Sequence, residues 1–311
     1  MIEPGQSGEC RVRVNVDGVL RTVVYGHPCS IHPDPMEKKP LFHFLPGTKI
    51  LSIATVGCNL HCRNCQNWEI SQANPEDNPA YVLSPEKLVD LTIKQRCLSL
   101  AYTYTDPIIF YEYTYDTAKL ARRAGIRNVL VTAGYVCEEP WKRLLEYVDA
   151  ANIDLKGMTE DFYRQVCSGT LKPVQDALIT AKASGILVEV TNLIIPTLND
   201  KPEQIRELCH WIKSNLGGET PLHFSRFFPK YKMRHLPATS PRTLDMAREI
   251  AMSEGLDYVY IGNIRNKVGQ NTYCPACKGL LIERSGYTIL KNRLKEGRCS
   301  DCGKEIYGVW K

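Results

Sequence analysis

The 311-residue sequence predicts an α/β protein, a partial or complete (β/α) barrel of about six units between a β or irregular lead-in and a small cysteine-rich tail. Three observations predict it. Strand-like apolar stretches alternate with amphipathic helical stretches six times over about 200 residues, which implies right-handed crossovers and a parallel sheet. No GxGxxG turn follows the first strand, which counts against a dinucleotide-binding sheet, although a doubly wound open sheet remains the competing closure. The strand ends read GCNLHC, TYTDP, TAGY, NIDLKG, EVTN and SRFFP, mostly polar or metal-binding where a barrel places its chemistry.

The elements follow in order. Residues 1–48 form the lead-in: RVRVNVDGVLRTVVYG alternates apolar and polar about an Asp17-Gly18 turn, a hairpin pattern. The next stretch, HPCSIHPDPMEKKPLFHFLPG, is proline-rich and is expected to run over a surface. Residues 49–263 are the expected barrel. KILSIATVG is a buried strand. SPEKLVDLTIKQRC is a helix with Ser84 as N-cap and Pro85 in its first turn, though Lys87 stands where a capping box wants Glu or Gln. LSLAYTYT, IRNVLVTAG, AANIDLKG, ILVEVTNLIIP, PLHFSRFF and DYVYIGN are the later strands. Between them lie helices over PIIFYEYTYDTAKLARRAG, EEPWKRLLEYV, LKPVQDALITAKASG, KPEQIRELCHWIKSNL and SPRTLDMAREIAMSEG. Residues 264–311 are the cysteine-rich tail, with short strands expected over LLIERSG and EIYGVWK.

Hydrophobic residues make up 43% and charged residues 23%, enough apolar material for a sizeable core. No apolar run approaches the ~18 residues of a membrane span, and MIEPGQSGECRVRV lacks a signal-peptide core, so a cytoplasmic protein without a membrane partner is expected. The net charge of +5 permits a nucleic-acid partner without arguing for one. Thirteen cysteines in a reducing compartment point to metal rather than disulfides. Seven are clustered; most of the other six, Cys10, Cys29, Cys97, Cys137, Cys167 and Cys209, are expected to be small buried hydrophobes.

Cys58, Cys62 and Cys65 follow the first strand at CxxxCxxC spacing. Structural zinc takes four ligands, and His61 is poorly placed as a fourth beside Cys62. A 4Fe–4S cluster held by three thiolates leaves one iron open to an outside ligand, the mark of a catalytic metal. The competing readings are three buried cysteines, or a zinc loop completed by a distant residue. Farther on, Cys274-Pro-Ala-Cys277 and Cys299-Ser-Asp-Cys302 are two CxxC pairs with 21 residues between them. They fit a tetrahedral four-sulfur site in a zinc-ribbon or rubredoxin-like module holding zinc or iron. The tail is also basic through Lys278, Arg284, Lys291, Arg293, Lys295, Arg298 and Lys304, read first as a solvated surface and second as a nucleic-acid contact.

CxxxCxxC after the first strand of a β/α series resembles the radical S-adenosylmethionine (SAM) superfamily. With CRNCQNWEIS, AYTYTDPIIFYEY, VTAGY, NIDLKG, EVTNLIIPTLND, HFSRFFP and YVYIGN, the chain is similar to the activating-enzyme branch that includes the pyruvate formate-lyase activating enzymes, above all to the AmmeMemoRadiSam system radical SAM enzymes. The resemblance implies SAM bound to the open iron of a three-cysteine 4Fe–4S cluster. It also implies a 5′-deoxyadenosyl radical that abstracts hydrogen, and a reductant such as ferredoxin or flavodoxin. It implies SAM contacts at Tyr104-Thr105-Asp106, where relatives have Gly-Gly-Glu, and at Asp154 and Lys156, with weaker contacts at Thr132 and Asn192. Relatives often read Asp-Thr-Asn-Gly where this chain reads Val131-Thr132-Ala133-Gly134, and an aromatic residue where it has Asn64. Only Cys10 matches a further N-terminal cysteine cluster of relatives, so no second metal site is expected there. His43, His61 and His223 are candidate proton donors, each read first as structural.

The resemblance leaves the substrate open: a glycine in a glycyl-radical enzyme, or a small molecule, RNA or peptide. The readings from other classes are a zinc-ribbon nucleic-acid binder and an iron–sulfur electron carrier.

Overall fold

The computed structural model describes residues 2–264 and 268–311. The chain opens with a hairpin, β1 (Arg13–Val16) and β2 (Val19–Thr22). Asp17 and Gly18 turn it with φ of 52° and 83°, the left-handed pair that a two-residue hairpin turn requires. β3 (Ser30–Pro35) and β4 (Lys49–Ala54) come next. Six further strands follow: β5 (Ser99–Tyr102), β6 (Arg127–Thr132), β7 (Ala150–Asp154), β8 (Leu187–Ile194), β9 (Leu222–Arg226) and β10 (Val259–Gly262). The helices are α1 (Trp68–Ser71), α2 (Pro85–Lys94), α3 (Tyr111–Arg123), α4 (Glu138–Leu145), α5 (Glu160–Phe162), α6 (Lys172–Ala183), α7 (Pro202–Leu216) and α8 (Pro241–Ser253).

β4 to β10 lie in sequence order and all run parallel, with β3 added antiparallel beside β4. Among the described residues β10 and β3 do not pair, so the sheet is a partial barrel. Helix starts follow the sequence signals. Ser84 Oγ accepts the Lys87 N–H at 3.4 Å, and Ser240 Oγ accepts the Thr243 N–H at 3.0 Å. Among the described residues no helix is long and apolar enough to cross a membrane.

The proline-rich stretch does not wander over the surface. Ser30–Pro35 is an edge strand, where the missing N–H groups of Pro33 and Pro35 cost no ladder on the open side. Beyond it, Leu41, Phe42, Phe44 and Leu45 are buried, and Leu41, Phe44 and Leu45 pack with Ala101, Val129, Ala150 and Leu187. Pro40 O accepts from Asn152 Nδ2 at 2.8 Å, and the His43 N–H donates to Glu189 Oε1 at 2.7 Å. The segment therefore packs under the sheet as a floor, driven by its apolar residues.

The tail holds β11 (Thr272–Tyr273), β12 (Leu280–Ser285) and β13 (Thr288–Asn292), an antiparallel three-stranded sheet. EIYGVWK is not a strand of it. It returns to the floor segment instead: the Val309 N–H donates to His43 O, and the Leu45 N–H to Val309 O, each at 2.7 Å. Tyr258, Tyr260 and Phe42 pack with Leu281, Ile282 and Ile306, so the tail covers both β10 and the floor segment. Arg284 is also no surface charge. It is buried over the Phe42 ring, 4.3 Å from its centroid, and donates to Thr272 Oγ1 at 2.8 Å and Phe42 O at 2.9 Å.

Candidate active site

Strand register decides which side chains share the inner face. Asp154, Thr191, His223 and Tyr260 form one row across β7 to β10. The next residues along, Asn192, Phe224 and Ile261, form a row on the opposite face because side chains alternate. The C-terminal ends of the strands surround a cleft of about 320 Å³. It is lined by Cys58, Cys62 and Cys65, and by Tyr104, Thr105, Asp106, Thr132, Asp154 and Lys156. Asn192, named from sequence as a weaker contact, is not at the cleft. Its Nδ2 donates to Leu155 O at 2.7 Å, on the helix side, and Thr191 lines the cleft instead.

The loop carrying the three thiols is tied to its surroundings by backbone. Gly57 has φ of 91°, and a Cβ there would meet Cys10 O at 2.5 Å, so only glycine fits. The His61 N–H donates to Cys167 O at 3.0 Å, and the Arg63 N–H to Val166 O at 2.8 Å. Cys167 ends a π turn, Tyr163–Cys167, a feature that often marks functional sites. Its thiol hydrogen-bonds to Cys62, which brings Cys62 down to about 7 against the opposing effect of burial. Burial raises Cys58, and raises Cys65 despite its contact with Ser71.

Asp106 interlocks two strand ends. Oδ1 accepts from Thr132 Oγ1 at 2.9 Å and the Ile108 N–H at 3.1 Å, and Oδ2 from the Ala133 N–H at 2.9 Å. Burial still pushes its carboxyl up. Thr105 Oγ1 donates to Thr55 O at 2.9 Å. Lys156 Nζ lies 2.7 Å from Asp154 Oδ2. Burial works against its charge, but Asp154 and the neighbouring thiols outweigh it, so the lysine is held protonated.

Tyr104 sits at φ of 65°, a left-handed position uncommon for such a residue. Asn67 Nδ2 donates to its carbonyl at 2.6 Å, and its hydroxyl donates to Asp34. Asp34 also takes Lys38 and Lys39, each at 2.7 Å, and Lys39 Nζ stands 4.4 Å from the Tyr104 ring centroid. Burial of Lys39 lowers it to about 8, although Asp34 opposes the shift. Lys38, Lys39, Thr191, Ser225 and Asn263 all line the cleft and were missed from sequence. The Asp-x-x-x-Lys-Lys run of DPMEKKP was a signal for the first two; Thr191 needs the register.

The donor set suits a metal–sulfur group with a polar ligand. Three thiols stand at one end, and two cleft residues, Asn64 and Thr191, carry buried oxygens without a partner among the described residues. In the tail, the sulfurs of Cys274, Cys277, Cys299 and Cys302 all lie within 4.8 Å of one another. Cys274 and Cys302 are 3.6 Å apart, as are Cys277 and Cys299. Four bonds of about 2.3 Å to one tetrahedral ion put sulfurs about 3.8 Å apart, so the four fit one metal. Of the scattered cysteines, Cys10, Cys97, Cys167 and Cys209 are buried, Cys29 is half-buried and Cys137 is exposed.

The profile of the Radical SAM superfamily matches residues 52–212, just over half of the chain. The chain belongs to the radical SAM superfamily. Membership implies a 4Fe–4S cluster and SAM. An uncharacterized protein of Methanocaldococcus jannaschii is 48% identical over 308 residues, covering 98% of this chain and 92% of that one. The pyruvate formate-lyase-activating enzyme of Clostridium pasteurianum is 25% identical over 167 residues, 51% of this chain and 67% of that protein. Among solved structures, a radical SAM methyltransferase from Sphaerobacter thermophilus superposes with a TM-score of 0.54 at 14% identity, over 72% of this chain and 68% of that one. This last likeness concerns the fold alone. The radical SAM fold accounts for the partial barrel and for a cleft at the strand ends.

Proposed function

We propose that Cys58, Cys62 and Cys65 hold the 4Fe–4S cluster and that SAM lies in the adjoining cleft. The observation that carries this is the convergence of the three thiols with Asp106, Asp154 and Lys156 on one cleft at the strand ends. When bound, cluster and SAM supply reductive cleavage of the sulfonium to a 5′-deoxyadenosyl radical, which abstracts hydrogen from a substrate. The chain's own residues bind and orient. Asp106 offers a carboxylate to an ammonium group, while its three donors fix it in place. Lys156, held by Asp154, offers a cation to a carboxylate. Tyr104, Thr105, Thr132 and Thr191 shape the wall between them, and Asn192 acts from behind by holding Leu155.

The activating-enzyme relatives favour an oxidoreductase that uses an external reductant such as ferredoxin or flavodoxin. A protein substrate carrying a glycine is one acceptor consistent with those relatives. The division into residues 1–48, 49–263 and 264–311 serves this reading, with the tail as a four-cysteine zinc or iron module. A reducing cytoplasm suits the exposed, unpaired Cys137.

The test is anaerobic reconstitution with iron and sulfide, followed by EPR with and without SAM and product analysis. A reduced-cluster signal that changes with SAM, with 5′-deoxyadenosine formed and both lost in Cys62→Ala, is the expected result. A cluster indifferent to SAM supports an electron carrier instead. Zinc alone at the three cysteines overturns the enzyme reading.

A further inference from the structure

A second cavity, of about 410 Å³, adjoins the cleft. The two share Lys38, Ser225 and Asn263 as a common wall. The turn between β12 and β13 contributes Gly286 and Tyr287 to its lining. The tail therefore helps to build this cavity, which falls in the size range of small-molecule sites.

His223 lies on its wall although it is only 3% exposed. Register places it in the same row as Asp154 and Thr191 of the cleft. Its Nε2 donates to Glu189 Oε2 at 2.6 Å. A carboxylate only accepts, so Nε2 carries a proton, and in the neutral ring Nδ1 carries the lone pair. Among the described residues Nδ1 has no hydrogen-bond partner. A buried imidazole locked by a carboxylate and open on its other nitrogen is built to receive a donor.

Lys38 stands at the junction of the two spaces, 41% exposed, and shares Asp34 with the buried Lys39. Two ammonium groups meet one carboxylate there. Glu37, also on the wall, has its carboxyl pushed up by burial, and its Oε1 accepts from the Gly47 N–H at 2.9 Å.

We propose that this cavity is the substrate pocket of the radical SAM reaction inferred above, on which this reading rests. Its substrate is a small molecule with a carboxylate or phosphate for Lys38 and an O–H or N–H donor for His223 Nδ1. A small molecule is favoured because the cavity, at about 410 Å³, has the volume of a small-molecule site.

The test titrates malate, glycerol phosphate and a glycine-centred heptapeptide separately into the full chain, with histidine side chains labelled for NMR. The His223 ring signal is assigned by its loss in His223→Gln. The expected result is a saturable shift with malate, glycerol phosphate or both, weakened about tenfold or more in Lys38→Met. The acid that binds tells carboxylate from phosphate. Gly262→Leu is expected to abolish the shift by filling the cavity. A Cβ at Gly262 meets only Ser225 Oγ at 3.6 Å and Phe224 O at 4.0 Å, so the backbone there admits a side chain, and circular dichroism of the variant checks that it folds. No shift with either acid, a shift unchanged in Lys38→Met and Gly262→Leu, or a shift with the peptide alone overturns the proposal. The titration needs no SAM turnover. Probe binding without 5′-deoxyadenosine formation in the reconstitution experiment overturns the proposed function, whereas SAM cleavage without probe binding overturns only the pocket.

Discussion

His43 gives a pH test of the barrel floor. Its ring is fully buried, Nδ1 lies 2.5 Å from Tyr307 O and Nε2 lies 2.6 Å from Tyr260 Oη. A carbonyl accepts only, so Nδ1 carries the proton and Nε2 accepts from the tyrosine. Desolvation lowers the imidazole from 6.5 to about 4, with Glu189 opposing the shift. Between those values the unfolded chain takes up a proton that the folded chain refuses. Stability is therefore full above the unfolded value and falls as pH drops toward the folded one. At about 1.4 kcal/mol per unit, the loss between neutral pH and about pH 4.5 is on the order of 2.5 kcal/mol. The assay is urea unfolding followed by circular dichroism at several pH values, comparing wild type with His43→Asn. The asparagine amide keeps the donor to Tyr307 but does not titrate. The variant is less stable at neutral pH, and its stability falls less steeply through this window. Parallel profiles for the two proteins would refute the reasoning, because other acid-labile groups are common to both.

Gly57→Ala sets a Cβ against Cys10 O at 2.5 Å and Val12 Cγ1 at 2.7 Å at a left-handed φ. It should cost about 2 kcal/mol or more and lower the iron bound on reconstitution, read by metal analysis. Asp106→Ala strands the Ala133 and Ile108 N–H groups and the Thr132 hydroxyl. A loss of about 2–4 kcal/mol in chemical denaturation is expected, since each buried unpaired donor costs about 1–3 kcal/mol. Stripping the tail metal with a chelator, or Cys299→Ser, should lower the melting temperature and raise protease cleavage after Lys304. Four thiolates without their ion no longer hold the Cys299–Cys302 knuckle beside Ile306. Elemental analysis before chelation, at one zinc or iron beyond the cluster, tells which metal the site takes.

Much of the fold was legible because its signals are local. Each strand of the parallel sheet lies within an apolar run bounded by turn residues, and Ser84 and Ser240 cap helices by the residue type that does so in any context. The three-cysteine loop and the paired CxxC knuckles were legible for the same reason, since their spacing is written along the chain. The proline-rich stretch was misread because its burial under the sheet depends on partners more than 100 residues away, such as Asn152 and Glu189. EIYGVWK reads as a strand by composition, but His43 and Leu45 claim its backbone.

The sequence by itself therefore determined the β/α order, the two cysteine clusters and most of the polar residues at the strand ends. Tertiary structure alone decided the faces. Whether Thr191 or Asn192 meets the cleft is a question of register, and a shift of one residue exchanges the two sides of a strand. Only packing brings Cys167 to Cys62 and joins His223 to Glu189. Packing also sets the tail against β10 and the floor segment, because hydrogen bonds and burial act over distances that no local pattern encodes.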